Sequence, residues 1–256
     1  MTAVADNARR VPAYRQVADD LRARIVSGEY PSGSLIPSER ELVEEFGISR
    51  PTVRNALDLL RNEGVILVEH GRGAFVRPTP TVHRLARNRL SRKAREDNQG
   101  TFLGDAATGG WTPSVSVRVR FESADERIAG LLAIAPGTEV CVRDRLMRAD
   151  GIPVQLATSW LPRDITRDSV LEQMDTGPGG AYARIEEMGH RLTMFEELVG
   201  SRMPTSDELV SLQLAAGIPV LTVTRVAIAE GGRPVEVNDM VLSSERYQLH
   251  YMLSAE

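Results

Sequence analysis

Apolar side chains recur every three to four residues in three successive stretches near the start of the chain, the pattern of amphipathic helices. Each stretch is bounded by residues that start or stop a helix: a serine or proline before the first turn, and a glycine after the first two stretches. Only a short turn separates the second and third stretches, so the pattern predicts a scaffold helix followed by a helix-turn-helix. The boundary residues are Pro12, Gly28, Ser38, Glu41, Gly47, Ser49 and Pro51.

A strand-like stretch with a central turn follows the third helical pattern at residues 65–76, with the sequence VILVEHGRGAFV. Gly71 and Gly73 permit the tight turn, and Arg72 stands at its tip. A further short strand at residues 34–36 is expected to pair with this hairpin. Three helices followed by a hairpin, in this order, predict a winged helix-turn-helix.

Polar side chains occupy the face of the third predicted helix that its apolar residues leave free, close to its N-terminal end. Arginine can donate two hydrogen bonds to guanine, asparagine can pair with adenine, and threonine offers a methyl and a hydroxyl group. A recognition helix presents its first residues to base edges, whereas residues that begin the preceding helix suit phosphate contacts. The candidate DNA-binding residues are Ser38, Arg40, Ser49, Arg50, Thr52, Arg54, Asn55, His70, Gly71, Arg72 and Gly73.

The alternative interpretation of these arginines is a solvated helix face, because glutamates are frequent in the same stretch. The hairpin with an arginine at its tip favours DNA binding. The formal net charge of −4 does not argue against DNA binding, because most of the negative charge lies outside the predicted DNA-binding domain. Residues 1–78 carry eleven basic and eleven acidic groups, whereas residues 101–256 carry fourteen basic and twenty-two acidic groups. Salt screens such distant charges over about 8–10 Å.

Alternating apolar and polar positions, the pattern of strands, dominate the chain from residue 114 onward. The turn sequences ADGI and GGR each separate two alternating runs, which predicts two β-hairpins. Helical patterns lie between the strands, one capped by Asp125, one at residues 179–188 and one capped by Thr205 or Ser206. These signals predict an α+β domain with an antiparallel sheet and helices over one face.

Residues 79–112 break both patterns, because prolines, a basic run and a stretch of glycine and small residues follow one another. We interpret them as a linker, whose basic part is either a solvated spacer or an additional phosphate contact. The predicted organisation is a flexible N-terminus at 1–11, a DNA-binding domain at 12–78, the linker at 79–112 and a second domain at 113–256.

Composition favours neither a membrane protein nor an exported one. No apolar run approaches the length of a bilayer span, no signal sequence precedes the first helix, and the single cysteine, Cys141, cannot form an internal disulfide. The four histidines are scattered, and no nucleophile elbow, phosphate loop or metal-ligand spacing is present. We therefore expect a bacterial cytoplasmic protein, on the nucleoid when DNA-bound, with no catalytic residues, cofactor or metal.

Residues 12–77 resemble the winged helix-turn-helix of the GntR family of bacterial transcription regulators. The resemblance rests on the run from PAYRQVADDL to LDLLRNEG and on the HGRG of the hairpin. It implies operator contacts at the positions that match the contacting residues of the family. These positions are Arg40, Arg50, Thr52, Arg54 and Gly71.

Residues 113–253 resemble the UTRA effector-binding domain of the HutC subfamily, whose fold is similar to chorismate lyase. The resemblance rests on RDRLMRADGIPVQLATSWLP and RPVEVNDMVLSSERY. Met147, Ala157 and Leu242 stand where members that bind phosphorylated sugars have an arginine, a glutamate and a tyrosine. The implied pocket is more apolar, which disfavours a sugar phosphate and favours a less charged ligand or none. The effector-binding residues that the resemblance implies are Arg145, Thr158, Ser159 and Glu236.

Arg143 lies on the same strand face as Arg145 and is a candidate to replace the missing cation. Alternatively, either arginine pairs with Asp144 or Glu236 as a structural bridge. The resemblance implies a homodimer that binds a pseudo-palindromic double-stranded operator and is released, as a repressor, by a small-molecule effector. Two alternatives are a DNA-binding repressor with a purely dimerising second domain and, much less favoured, a chorismate-lyase-like enzyme. An all-helical, metal-dependent effector domain disagrees with the strand alternation.

Overall fold

The protein was analysed as a computed structural model, which divides into two compact units, Met1–Thr79 and Pro80–Glu256. The residues that the structure describes are 11–69, 71–77, 82–85, 90, 101–214 and 217–251.

The first unit contains three helices and a hairpin, as the sequence predicts. Its elements are α1 (Ala13–Ser27), α2 (Glu39–Phe46), α3 (Arg50–Asn62), β1 (Ile66–Glu69) and β2 (Gly73–Val76). Gly28 and Gly47 end the first two helices in the left-handed conformation, with φ of 83° and 61°. Ser38 and Glu41 form the predicted capping box.

One apolar core holds these elements together. The apolar stripes of the three helices face each other, and the hairpin and residue 36 close the core from the side. β1 and β2 pair antiparallel, and Leu35 adds a single bridge to Phe75, which confirms the predicted strand contact at residues 34–36. The buried core residues are Val17, Ala18, Leu21, Ile36, Leu42, Val53, Ala56, Leu57, Leu60, Ile66 and Val76.

The second unit is an α+β domain around an antiparallel sheet, which confirms the predicted fold class. Among the described residues, six strands form this sheet in the order β4-β5-β6-β9-β8-β7, and each neighbouring pair is antiparallel. The strands are β4 (Pro113–Ser123), β5 (Glu139–Ala149), β6 (Ile152–Pro162), β7 (Leu192–Arg202), β8 (Val220–Ala229) and β9 (Pro234–Ser243).

Helices cover both faces of this sheet, so the prediction of helices over one face was wrong. Ile128 and Leu132 of α5 pack against Val140 and Val142 on one face. The opposite face packs against Tyr182 of α7 and against α4. The helices of this unit are α4 (Thr101–Gly109), α5 (Glu126–Leu132), α6 (Arg163–Thr166), α7 (Gly180–Glu187) and α8 (Ser206–Ser211).

Parts of the segment interpreted as a linker are regular elements of the second unit. β3 (Val82–Leu85) pairs in parallel with β10 (Tyr247–His250). The ring of Phe102 in α4 packs against that of Trp111 in a tilted arrangement, with ring centroids 4.8 Å apart, and both are buried. The strands that bury these two side chains lie far along the chain, so local composition could not show the burial. Most of the predicted basic run lies outside the described residues.

Within the described residues, no helix combines the length and the apolar character that crossing a bilayer requires.

Candidate nucleic-acid interface and ligand pocket

The N-terminal end of α3 presents an exposed polar edge. Ser49 caps the helix by accepting a hydrogen bond from the backbone N–H of Thr52, and Pro51 lies in the first turn, where its missing N–H removes no helical hydrogen bond. The apolar side of the helix, including Val53, is buried in the core. The opposite side therefore faces solvent. The exposed side chains on this edge are Arg50, Arg54 and Asn55.

Glu39, the first residue of α2, joins the two arginines of this edge. Its carboxylate accepts a hydrogen bond from Nε of Arg50 at 2.8 Å and two from Arg54, at 3.2 Å from Nε and 3.1 Å from Nη2. The hydrogen bonds from Arg54 and Arg50 lower the pKa of Glu39. Because the side chains of Arg50 and Arg54 remain 69% and 60% exposed, one carboxylate orients two guanidinium groups that solvent, or a ligand, can still reach.

The two serines predicted to contact DNA have local structural roles. The hydroxyl of Ser38 donates to Glu41 at 2.7 Å, and the hydroxyls of Ser49 and Thr52 lie 2.7 Å apart. Arg40 is exposed on α2, one residue after Glu39. The caps fix the start of each helix, and any DNA contact by these hydroxyls stays a prediction.

Arg72 lies at the turn of the hairpin, as predicted, and is held there by two neighbours. Its guanidinium pairs with the carboxylate of Glu69 and lies 5.4 Å from the ring centroid of Phe75. It is an exposed cation at the tip of the wing. His70, predicted to belong to the same surface, lies outside the described residues.

Both predicted glycines of the wing adopt positive φ angles, 76° at Gly71 and 114° at Gly73. A side chain at Gly73 would also meet a neighbour, because an added Cβ would lie 2.8 Å from Cδ1 of Leu35. The space around Gly71 is open. The hairpin turn therefore depends on glycine at both positions, and on packing space at the second.

A cavity of about 220 Å³ opens on one face of the sheet in the second unit. Alternation along β5 and β9 brings three predicted effector residues, Arg143, Arg145 and Glu236, to its wall. Ser159 is fully buried behind the wall, where its hydroxyl accepts a hydrogen bond from Arg145. Four of the five predicted effector residues thus lie in or directly behind one cavity.

Thr158 is the exception, and its assignment to the pocket is corrected by the structure. It precedes Ser159 on the same strand, so its side chain points to the opposite face of the sheet. There its hydroxyl donates to Asp144 at 2.9 Å, and Asp144 pairs with Arg120 at the same distance. The predicted hydroxyl pair is therefore divided between two faces.

Arg143 is tied to main-chain oxygen atoms. Its guanidinium donates to the carbonyls of Leu171 and Gln173, both at 2.5 Å, and of Met174 at 3.0 Å. Burial lowers its pKa. In the part of the chain that the structure describes, it pairs with no carboxylate, so the suggested bridge to Asp144 or Glu236 is absent there. Arg143 instead fixes the segment 171–174 beside the cavity.

Arg145 donates to Ser159 and to Oδ1 of Asn238, the latter at 3.2 Å. Burial lowers its pKa. Neither its Nε nor Oε2 of Glu236 has a hydrogen-bond partner among the described residues, although both atoms are buried. The polar part of the cavity wall is therefore not fully satisfied by the protein itself.

The wall residues that the sequence analysis missed include Arg225, Tyr182 and Asn238. Arg225 is 2% exposed and forms an ion pair with Glu197 at 2.6 Å, and its Nη1 lies 3.5 Å from the hydroxyl of Tyr182. Burial, with a smaller effect of Glu236, raises the pKa of Tyr182. The available signal was that alternation places Arg225 on the same strand face as the apolar residues Val223 and Ala227.

The three apolar replacements noted in the sequence lie together. Met147, Ala157 and Leu242 are buried in one apolar cluster with Phe102 and Trp111. Met147 also lines the cavity. The wall is thus apolar on this side, as expected, but the additional Arg225 makes the other side more charged than the sequence suggested.

Two family models match the chain. The model described as bacterial regulatory proteins, gntR family, matches residues 13–76, and the UTRA domain model matches residues 112–248, more than half of the chain. The HTH-type transcriptional regulator Rv0792c of Mycobacterium tuberculosis is 31% identical over 95% of this chain and 86% of its own length. The chain belongs to the GntR family of bacterial regulatory proteins.

Other relatives of this GntR-family chain also cover nearly all of it. The HTH-type transcriptional repressor NagR of Bacillus subtilis is 28% identical over 94% of this chain and 95% of its own. The crystal structure of PhnF from Mycobacterium smegmatis is similar with a TM-score of 0.60 and 25% identity, covering 94% of this chain and all of that one. This GntR-family chain is therefore a transcription regulator with an N-terminal DNA-binding unit and a C-terminal effector-binding domain of the UTRA type.

Proposed function

We propose that this GntR-family protein is a homodimeric repressor of the HutC type, which binds a pseudo-palindromic operator and leaves it when a small molecule occupies the cavity. The observation that carries the DNA-binding part is the exposed pair Arg50 and Arg54 at the start of α3, which we take as the recognition helix; the carboxylate of Glu39, on α2, holds both side chains. Regulation at chromosomal DNA implies a cytoplasmic protein. The regulatory family favours this role over catalysis.

The DNA surface would combine two kinds of contact. Arg50, Arg54 and Asn55 suit base edges in the major groove, because guanidinium and amide groups pair with guanine and adenine. Arg40 and Arg72 are exposed cations on neighbouring elements and suit phosphates, which fix the register without reading sequence.

A second copy would complete the regulator. β7 forms one edge of the six-stranded sheet, and an exposed strand edge is a template for pairing with another chain. Three of its apolar side chains, Met194, Leu198 and Val199, are exposed, with Leu198 at 74%. Two-fold pairing of this kind would present two recognition helices to two half-sites of an inverted repeat.

Ligand binding in the cavity would control operator binding. A ligand that prefers the DNA-incompetent arrangement of the dimer releases the operator, and such couplings are typically about 1–3 kcal/mol. The relative NagR is a transcriptional repressor, which supports repression here. A purely dimerising domain is the second candidate, but two unsatisfied buried polar atoms at the cavity wall favour a ligand.

The test begins with selection of bound duplexes from a random library by the purified full chain at low ionic strength. Enrichment of an inverted repeat, protected over both half-sites, is the expected result, together with a dimer mass in sedimentation equilibrium. Binding without sequence preference, or a single isolated half-site bound by a monomer, would contradict the proposal.

A further inference from the structure

The charged groups of the cavity wall differ in how far the protein itself satisfies them. Three arginines and one glutamate line the cavity: Arg143, Arg145, Arg225 and Glu236. Asp175 also lines it, but its side chain is exposed at the rim, where it accepts a hydrogen bond from the N–H of Gly177.

Two of the three guanidinium groups are already occupied. Arg143 donates to three main-chain carbonyls, and Arg225 is paired with Glu197 through two nitrogens, at 2.7 Å from Nε and 2.6 Å from Nη2. Both arginines therefore have protein partners that a ligand would need to displace.

Arg145 differs from them, because one of its buried guanidinium nitrogens has no hydrogen-bond or ion-pair partner among the described residues. Its Nη2 donates to the hydroxyl of Ser159 and to the amide oxygen of Asn238, and its Nε has no acceptor. In the part of the chain described by the structure, no carboxylate lies within 4 Å of this guanidinium. A guanidinium without a carboxylate partner in a confined site matches an anion, and a carboxylate can accept two parallel hydrogen bonds from it.

Glu236 supplies the complementary group. It is 2% exposed, and its Oε2 has no hydrogen-bond partner among the described residues. An ionised carboxylate only accepts hydrogen bonds, so a ligand that satisfies it must donate. The other two guanidinium groups also limit the charge of the ligand, because a second negative charge would have to displace their hydrogen bonds to the protein.

We propose that the cavity binds a small monocarboxylate that also carries a hydrogen-bond donor, such as an amino acid or a hydroxy acid with an apolar side chain. This assignment rests on the effector response proposed above. The carboxylate faces Arg145 and the donor faces Glu236. The apolar part packs against the side of the cavity formed by Phe102, Val115 and Met147. The cavity is smaller than the sites of about 300–1,000 Å³ that hold drug-sized ligands, which agrees with a small metabolite.

Thermal unfolding of the full chain with millimolar probes that share one apolar side chain tests this assignment. L-leucine carries a carboxylate and an ammonium donor, 2-hydroxy-4-methylpentanoate a carboxylate and a hydroxyl donor, 4-methylpentanoate only the carboxylate, and 3-methylbutylamine only the donor. At least one of the first two should raise the Tm by about 2–4 °C, and more than either monofunctional compound. Comparing the first two distinguishes an amino acid from a hydroxy acid.

Variants of the wall residues test whether the thermal shift arises from binding in the cavity. Arg145→Gln and Glu236→Gln should each abolish the shift, whereas Arg148→Gln should retain it, because Arg148 is on the same strand but does not line the cavity and bonds to Ser116. If a variant fails to fold, the comparison of the four compounds on the unsubstituted chain still tests the proposed ligand class.

Several outcomes would overturn the assignment: no shift with any carboxylate, an equal shift with 3-methylbutylamine, or a shift with glucosamine 6-phosphate alone. A sugar phosphate that also released the operator would overturn only the ligand class and leave the effector response standing. Operator binding is measured separately, so failure of the regulator proposal itself would be recognised.

Discussion

The carboxylate of Glu39 holds the guanidinium of Arg54 through two hydrogen bonds, from Nε to Oε1 at 3.2 Å and from Nη2 to Oε2 at 3.1 Å. The pair connects the start of one helix to the first turns of the next. It orients an arginine that we propose to contact DNA, and it also places a negative charge beside this arginine.

Glu39→Gln should therefore lower sequence discrimination. Removal of the negative charge strengthens phosphate attraction, while loss of the ion pair frees Arg50 and Arg54 to move, so non-specific duplex binding should tighten by up to about 1 kcal/mol. Operator binding should gain less. Titrations of operator and random duplex at matched salt measure the ratio. Glu44→Gln removes the same charge from an exposed position of α2, and an equal change there would refute a specific role for Glu39.

Arg54→Ala should weaken operator binding by about 1–3 kcal/mol, because it removes the contact to a base edge that we propose for Arg54. A gel-shift titration at fixed salt measures the change. Arg61→Ala serves as the control, because Arg61 is in the last turn of the same helix and pairs with Asp58 at 2.9 Å. If both variants lost the same affinity, the effect would belong to net charge and not to the groove.

Gly73→Ala should destabilise the wing more than Gly71→Ala. Both replacements put an L-residue at a positive φ, which costs roughly 1–2 kcal/mol in the left-handed region, but only the first also brings a Cβ against Leu35. Hydrogen exchange of the hairpin amides, such as that of Arg72, reports local opening. Equal protection in the two variants would show that Leu35 moves aside without cost.

Arg145→Ala should abolish the response to the effector while the operator affinity of the free protein stays unchanged. The guanidinium lines the cavity in the second unit, and the predicted DNA contacts belong to the first. Operator release is followed by fluorescence anisotropy during effector titration. Normal release by the variant would place the effector elsewhere.

Glu197→Gln should lower the free energy of unfolding by about 3–5 kcal/mol, because it leaves the buried guanidinium of Arg225 without its counter-charge. Glu187→Gln removes the exposed carboxylate that pairs with the half-buried Arg184, and it should cost at most about 1 kcal/mol. Urea unfolding followed by circular dichroism compares the two. A small loss in both would mean that solvent or rearrangement compensates Arg225.

Local signals allowed the first unit to be predicted from sequence. Ser38, Glu41 and Ser49 act on backbone groups within three residues of themselves, so a short stretch of sequence contains the whole interaction. The same holds for Gly28 and Gly47, whose left-handed conformation ends a helix at the glycine itself.

The second unit depends more on distant partners. Phe102 is buried by side chains of β5, β6, β8 and β9. β3 pairs with β10, which lies more than 160 residues later in the chain. The alternation of side chains along a strand places Thr158 and Ser159 on opposite faces of the sheet, but it does not indicate which of the two faces the cavity. Arg225 was missed because an isolated arginine in a strand resembles a solvent-facing residue until its partner Glu197 is placed on the neighbouring strand.

The parallel pairing of β3 with β10 has a practical consequence for handling the protein. Removing residues from 247 onward would take away the strand against which residues 82–85 hydrogen-bond, and would uncover Val82. A chain truncated before Tyr247 should therefore be tested for correct folding, because the truncation removes part of the folded second unit.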